Sequence, residues 1–226
     1  RDSSTSRGLG DVYKRQPLTY KLIDDIDGNA SLFVIIILVF FSGELIWRDR
    51  NSKIHEVIDA TPHTSLISLA AKTLSLISLT VLLQLFFIFC GVVYQLVNGY
   101  FRIELEVYFL DFFYANFLAY AIWSGVMITI QVLVNNKYIG YFVSISVIFI
   151  WSIVLEIFDV SSFMLTIAAG PSTLYSDMNA FGPGLYGAMM FNLYWILFSI
   201  LCLLIAGALW NRGLRSSLKD RLNIAK

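Results

Sequence analysis

Long apolar runs alternate with short polar or charged segments along most of the chain, and this alternation predicts a bundle of membrane-spanning helices. Five runs are long enough to cross the ~30 Å hydrocarbon core of a bilayer as helices, or nearly so. They are about 30–47, 70–97, 112–134, 138–158 and 191–210. The predicted fold class is therefore all-α, a polytopic membrane helix bundle with about five transmembrane helices.

The segments between these runs predict how neighbouring spans are connected. Only residues 135–137 separate the third run from the fourth, so these two spans should form an antiparallel helical hairpin. The connection 159–190 is longer and carries Gly-Pro turn signals at 170–171 and 182–184. Because its flanks are apolar, we expect it to lie partly within the membrane as short re-entrant helices.

The segment 43–62 is the longest strongly charged stretch between two apolar runs. A charged side chain at the bilayer centre costs roughly 2.5–3.5 kcal/mol, so we expect this segment to be a loop in water. Within it, Ile54, Val57 and Ile58 recur at the spacing of one face of a helix. A Thr-Pro pair follows and ends the pattern, because the residue before proline avoids the helical region. The prediction is a charged loop that carries a short surface helix.

Residues 1–16 differ from the rest of the chain, since they are polar and lack hydrophobic periodicity. Asp11–Gln16 resembles the translated end of a transposon used to fragment DNA for sequencing. We interpret residues 1–16 as a sequencing artefact or a disordered tail, and we exclude them from the fold. Residues 17–226 are assigned to one transmembrane domain.

Composition and charge placement support a membrane location and predict its orientation. Apolar residues make up 58% of the chain and charged residues 14%, whereas a soluble domain carries about 25% charged residues. In a five-span arrangement, one side receives most of the cations: Arg48, Arg50, Lys53, Lys72, Lys137, Arg212, Arg215, Lys219, Arg221 and Lys226. The other side receives most of the carboxylates: Asp24, Asp25, Asp27, Glu104, Glu106, Asp111, Asp159 and Asp177. The positive-inside rule then puts the N-terminus outside and the C-terminus in the cytoplasm.

No catalytic or metal site can be assembled from the sequence. His55, Glu56 and Asp59 suggest a zinc-protease helix, but that motif needs a second His where Asp59 stands. A solvated face of the surface helix explains these residues better, so we predict that this chain is not an enzyme. The two cysteines lie inside apolar runs and are interpreted as small core residues. No basic stretch supports binding to nucleic acid.

Polar side chains inside the apolar runs are the remaining candidates for function. They are Gln84, Asn116, Gln131 and Glu156. None forms a repeated proton-relay pattern, and interhelical hydrogen bonding is the favoured interpretation. Contact with a substrate stays open, and no substrate-binding residue is assigned.

Four separated motifs carry a resemblance to a known family. They are GELIWRDR at 43–50, KIHEVIDATP at 53–62, VNNKY at 134–138 and YSDMNAFG at 175–182. The first two resemble the coupling segment of type-2 (exporter-like) ABC transporter permeases. Together the four resemble most closely a bacterial branch of that family in which the permease is joined to a zinc aminopeptidase.

This resemblance implies a function, a location and partners. The chain would be part of a six-span permease unit in the bacterial inner membrane, and a fragment truncated at both ends. A separate cytoplasmic ABC ATPase dimer would bind ATP, since this chain has no Gly-rich phosphate loop and is predicted to bind no cofactor itself. A second permease unit would complete the translocation path. The implied contacts with the ATPase are Glu44, Arg48, Arg50, Lys53, Ile54, Glu56, Val57, Ile58 and Asp59. The alternative is a membrane anchor for the aminopeptidase, without transport of its own.

Overall fold

A computed structural model describes residues 19–54, 58, 64–99, 101, 105–111, 116–134, 136–159, 162–171 and 184–210. Every regular element within these ranges is helical. The six α-helices are α1 (Thr19–Asn51), α2 (Ser65–Val97), α3 (Leu105–Asp111), α4 (Leu118–Leu133), α5 (Lys137–Ile157) and α6 (Gly184–Ala208).

Four of these helices are long and apolar enough to cross a membrane. The apolar segments are Gly28–Asn51 of α1, Ser65–Val97, Lys137–Ile157 and Tyr186–Ala208 of α6. The third predicted span, 112–134, corresponds to α4, which is shorter, with 16 residues. The prediction of an all-α polytopic helix bundle is therefore confirmed, with four long apolar helices and one short one.

The short helix α4 is the centre of the bundle. It packs against α1, α2, α5 and α6, and most of its residues are buried, including Ile122, Met127 and Ile128. Close approach to α6 requires Gly125, because a Cβ atom there would lie 2.1 Å from Ser199 Oγ. Small residues at a helix contact allow the two backbones to approach, as is common between membrane helices.

Helix α2 buries mainly polar and small residues and exposes large apolar ones. Five of the seven buried residues of α2 are polar or small: Thr73, Thr80, Gln84, Gly91 and Gln95. Its exposed residues are instead large and apolar, including Leu74, Phe86 and Phe89. A soluble helix shows the opposite arrangement, with apolar residues inside. The solvent that suits this exposed surface is lipid.

The charged segment 43–62 differs from its predicted loop conformation over its first half. Helix α1 begins before residue 30 and continues to Asn51, so residues 43–51 are helical. The helix tolerates these charges because Arg48 and Arg50 lie in its last turn, where cations interact favourably with the helix dipole. Lys53 has a left-handed backbone (φ 57°) and follows the end of the helix.

Two connections between helices also bear on the predictions. The short turn after α4 leads directly into α5, and Asn136 caps α5 by accepting a hydrogen bond from the Tyr138 amide at 3.0 Å. Residues 162–171 form turns rather than the expected re-entrant helix. Two indoles hold this segment, since Trp151 donates to the Leu165 carbonyl and Trp195 to the Phe163 carbonyl. Residues 172–183 lie outside the described ranges.

Candidate functional site

The up-and-down path of the helices collects the charged residues at two opposite ends of the bundle. One end, here called the basic end, contains the C-termini of α1, α4 and α6 and the N-termini of α2 and α5. Its charged residues in the described ranges are Glu44, Arg48, Asp49, Arg50, Lys53, Lys72 and Lys137. The opposite end, the acidic end, carries the positions Lys21, Asp24, Asp25, Asp27, Glu106, Asp111, Glu156 and Asp159. The described helices have no charged residue between these two ends, as the alternation of runs predicted.

An ion pair between Lys72 and Asp49 joins α2 to α1 at the basic end. The Lys72 ammonium lies 2.5 Å from Asp49 Oδ2 and also donates to the Leu45 carbonyl. The Lys72 side chain is only 12% exposed. A cation this deep is tolerable because both groups compensate its charge. The sequence placed Lys72 among the cations of the basic side, and the structure pairs it with a carboxylate on the neighbouring helix.

A second ion pair joins α5 to α1 one turn earlier. Lys137 Nζ lies 2.5 Å from Glu44 Oε2. Beside it, the Tyr141 hydroxyl donates to the Phe40 carbonyl at 3.3 Å, and the two rings pack at 5.2 Å. Gly43 makes this contact possible, because a Cβ atom there would lie 2.2 Å from the Tyr141 ring. Helices α1 and α5 are therefore held together by charge, a hydrogen bond and close packing.

Contacts with Arg50 and Ser65 extend these links to the end of α6. The Arg50 guanidinium lies 5.0 Å from the Trp47 ring centre and 5.9 Å from that of Trp210. Cations over indole rings are stabilised by the ring quadrupole. The Ser65 hydroxyl at the start of α2 donates to the Gly207 carbonyl at 3.2 Å. The last turns of α1 are thus attached to α2, α5 and α6.

The structure separates the predicted contact residues into two groups. Glu44 and Arg50 make contacts within the bundle, whereas Arg48 on α1 is exposed. Ile54 follows the end of α1 and is 52% exposed. The Ile58 amide donates to the Ile54 carbonyl at 3.0 Å, which is the hydrogen bond of one helical turn. Lys53 is also exposed. Three further predicted contact residues, Glu56, Val57 and Asp59, lie outside the described ranges.

Sequence reasoning missed the partners that hold this end together. Lys137 was interpreted as a contribution to the charge balance and as part of the motif at 134–138, and Asp49 only as part of the motif at 43–50. The residues packed around them were not singled out. Lys72 gave the one usable signal, since a lone cation within an apolar run needs a partner to compensate its charge. The identity of that partner depends on how α1 and α2 pack, which the pattern along one helix does not specify.

The hydroxyl groups inside the bundle are mostly satisfied within their own helices. Ser42, Thr73, Thr80, Ser124 and Thr129 each donate to a carbonyl three or four residues earlier. They therefore behave as small packing residues and do not form a continuous polar path.

The buried glutamines differ from these hydroxyl groups and from one another. Gln95 donates to the Thr19 hydroxyl at 3.1 Å and accepts from the Tyr108 hydroxyl at 3.2 Å, at the acidic end. Gln84 Oε1 and both amide atoms of Gln131 are buried without a hydrogen-bond partner in the structure. The interhelical hydrogen bond expected at Gln131 is therefore absent, and Gln95, which was not among the predicted candidates, forms such bonds instead.

Within the described ranges, no cluster of three or more His, Cys, Asp or Glu side chains could hold a metal ion. His55 and His63 lie outside those ranges. No protein-family model, curated protein or solved structure matches the chain.

Proposed function

We propose that this chain is the membrane permease part of an ATP-driven ABC transporter, with its basic end in the cytoplasm of a bacterial cell. A separate ATPase dimer would bind ATP and dock on the segment that follows α1. A second permease unit would complete the path. The sequence motifs at 43–50 and 53–62 support this proposal, together with the positive-inside distribution of charge.

The observation that carries the proposal is the attachment of the end of α1 to three other helices. Lys72 of α2 binds Asp49, Lys137 of α5 binds Glu44, and Trp210 beyond α6 packs on Arg50. A push on residues 53–58 would therefore move α1 together with its neighbours instead of bending a free loop. Packed elements with fixed contacts transmit a displacement because they have few alternative arrangements.

The chemistry of the exposed residues indicates what the partner surface would look like. Ile54 presents an apolar side chain beyond the end of α1, with Arg48 and Lys53 exposed near it. An apolar groove with acidic residues at its rim would complement this arrangement. Glu44 and Arg50 would act indirectly, by fixing the position of α1.

Substitution of Ile58 tests the coupling. The chain would be co-expressed with a candidate ABC ATPase subunit and reconstituted into liposomes. We expect Ile58→Asp to abolish stimulation of ATP hydrolysis by the permease, because a carboxylate cannot enter an apolar groove without a partner. Asn51→Asp is the matched control, since it adds the same charge at an exposed position seven residues earlier.

Two outcomes would contradict the coupling proposal. If Ile58→Asp retains full ATPase stimulation, the segment after α1 is not the contact. If the wild-type chain neither binds nor stimulates the ATPase, the chain acts as a membrane anchor for a fused domain.

A further inference from the structure

Helices α4 and α5 each carry a buried polar side chain without a hydrogen-bond partner in the structure. Gln131 of α4 and Ser144 of α5 are both 0% exposed. Both amide atoms of Gln131 and the hydroxyl of Ser144 have no hydrogen-bond partner in the structure. An unsatisfied polar group in an apolar medium is costly, so two of them on neighbouring helices need an explanation.

Ser144 differs from the other buried hydroxyl groups of the bundle. Thr73 and Thr129 donate to carbonyls one turn earlier in their own helices. Ser144 could do the same with the Gly140 carbonyl, yet it does not. Its hydroxyl is therefore available to a group outside α5.

Gly140 lets the Gln131 carboxamide pack directly against α5. A Cβ atom at Gly140 would lie 2.2 Å from Gln131 Oε1 and 2.9 Å from its Cδ, so the carboxamide rests directly on the glycine backbone. Gly140 and Ser144 are four residues apart and share one face of α5. They lie roughly 5 and 10 Å from the start of the helix at 1.5 Å per residue. The Gln131 carboxamide therefore packs on α5 one helical turn from Ser144, close to the basic end.

We propose that Gln131 and Ser144 form a buried site for the hydroxyl group of a small neutral molecule, of which water is the smallest. A carboxamide and a hydroxyl each donate and accept hydrogen bonds, and an O–H group complements both. The nearest charged residue along α5 is Lys137, whose charge is compensated by Glu44. An ion in the site would lack a counter-charge, which favours a neutral ligand.

Isotope labelling of glutamine side chains tests this site with little spectral overlap. The chain has only four glutamines, Gln16, Gln84, Gln95 and Gln131. Combined NOE and ROE spectra of the protein in detergent would separate dipolar contact with water from proton exchange. We expect a water contact at the Gln131 carboxamide, assigned by its loss in Gln131→Leu. Gln95 is an internal control, because protein groups satisfy its amide.

Three variants distinguish a built site from general hydration. Ser144→Ala should greatly weaken the water contact of Gln131, and Gly140→Ala should abolish it by displacing the carboxamide. Ser152→Ala is the matched control, since that exposed hydroxyl already donates to the Ile148 carbonyl at 2.9 Å. If Gly140→Ala fails to fold, Ser144→Ala still decides the question.

Titration with octanol distinguishes between water and an alcohol as the source of the hydroxyl group. Replacement of the water contact by a contact with octanol indicates that the site accepts an alcohol, and persistence of the water contact indicates that it holds water. Either result supports the proposal. Absence of contact with both molecules, or an equal effect of Ser144→Ala and Ser152→Ala, would overturn it.

Discussion

Lys72 shows how the bundle accommodates a single cation within an apolar helix. An uncompensated ammonium is costly at this depth, but the four-carbon stem of lysine lets the charge lie away from its own backbone. Here the stem extends along α1, and the nitrogen reaches Asp49 and the Leu45 carbonyl. The pair therefore fixes the relative positions of α1 and α2, since either side chain without the other would leave a partly buried charge.

Removal of Lys72 should destabilise the bundle. We expect Lys72→Met to lower the free energy of unfolding by about 1–3 kcal/mol. Removing one partner of a fully buried ion pair costs ~3–5 kcal/mol, and the effect should be smaller here because Asp49 is 27% exposed. The measurement is SDS-induced unfolding in mixed micelles. Lys137→Met is the matched comparison, since the Lys137–Glu44 pair is more exposed and should contribute about 1 kcal/mol or less.

The comparison of these two variants can contradict the account of the basic end. If Lys72→Met and Lys137→Met lower the free energy of unfolding equally, then burial does not determine how much each ion pair contributes to stability. Adding Asp49→Asn to Lys72→Met should restore part of the stability, because it removes the carboxylate left without a partner.

Gly125 is the residue on which close packing of α4 and α6 depends. Gly125→Val should lower the free energy of unfolding by about 1–3 kcal/mol, because the added atoms would overlap Ser199 and push the two helices apart. Gly28→Val is the control, since nothing lies within 4 Å of a Cβ atom at that position. SDS-induced unfolding would again be measured. If Gly28→Val lowers the free energy of unfolding as much as Gly125→Val does, then helix propensity, and not packing, explains the effect.

At the scale of elements, helix α3 closes the acidic end through one tyrosine. Tyr108 is 3% exposed and packs with Val107 and Ile23 of α1. Its hydroxyl donates to Gln95 of α2, which in turn donates to Thr19 of α1. Burial raises the pKa of Tyr108 from its ordinary value of 10.0 to about 12. The docked helix therefore favours the neutral phenol.

This raised pKa predicts that α3 detaches at alkaline pH. The contribution of Tyr108 to docking is fully present below pH 10 and is lost as the pH rises from 10 towards 12. The reason is that Tyr108 ionises at a lower pH when α3 is detached than when it is docked, so rising pH favours the detached state. An environment-sensitive fluorophore on Glu106→Cys, in a background with Cys90 and Cys202 replaced by alanine, would report the change. Glu106 is suitable because its side chain is exposed.

The conservative variant Tyr108→Phe provides the control for this pH dependence. It should weaken docking by about 1 kcal/mol at neutral pH, through loss of the hydrogen bond to Gln95. It should also remove the alkaline transition, since phenylalanine does not ionise. An identical alkaline transition in Tyr108→Phe would show that another group causes it.

The existence of the helices could be predicted from hydropathy, but their ends and contacts could not. Arg48 ends an apolar run, yet α1 continues to Asn51 because a helix can extend from hydrocarbon into the headgroup layer without losing hydrogen bonds. The run 112–134 predicted a helix, but its central position depends on contacts with four other helices. The role of Gln131 also depends on such contacts, since Gly140 comes close to it only when α4 and α5 pack.

At the scale of the whole molecule, charge and polarity are arranged along two directions. Across the bundle, polar and small residues such as Thr80 and Gly125 are buried together with apolar core residues such as Leu38, and many large apolar side chains face outward. Along the bundle, cations concentrate at one end and carboxylates at the other. The first arrangement suits lipid as the surrounding solvent. The second favours one orientation, with the basic end in the cytoplasm.

Labelling of Lys53→Cys tests this orientation, on which the coupling proposal depends, most directly. The background would again have Cys90 and Cys202 replaced by alanine, and Asn98→Cys would report the acidic end. The label would be a membrane-impermeant maleimide. We expect Lys53→Cys to react only in inverted inner-membrane vesicles. We expect Asn98→Cys to react only in cells with a permeabilised outer membrane and an intact inner membrane. Reaction of Lys53→Cys from the outside of such cells would contradict the account, because no cytoplasmic ATPase could then reach the segment after α1.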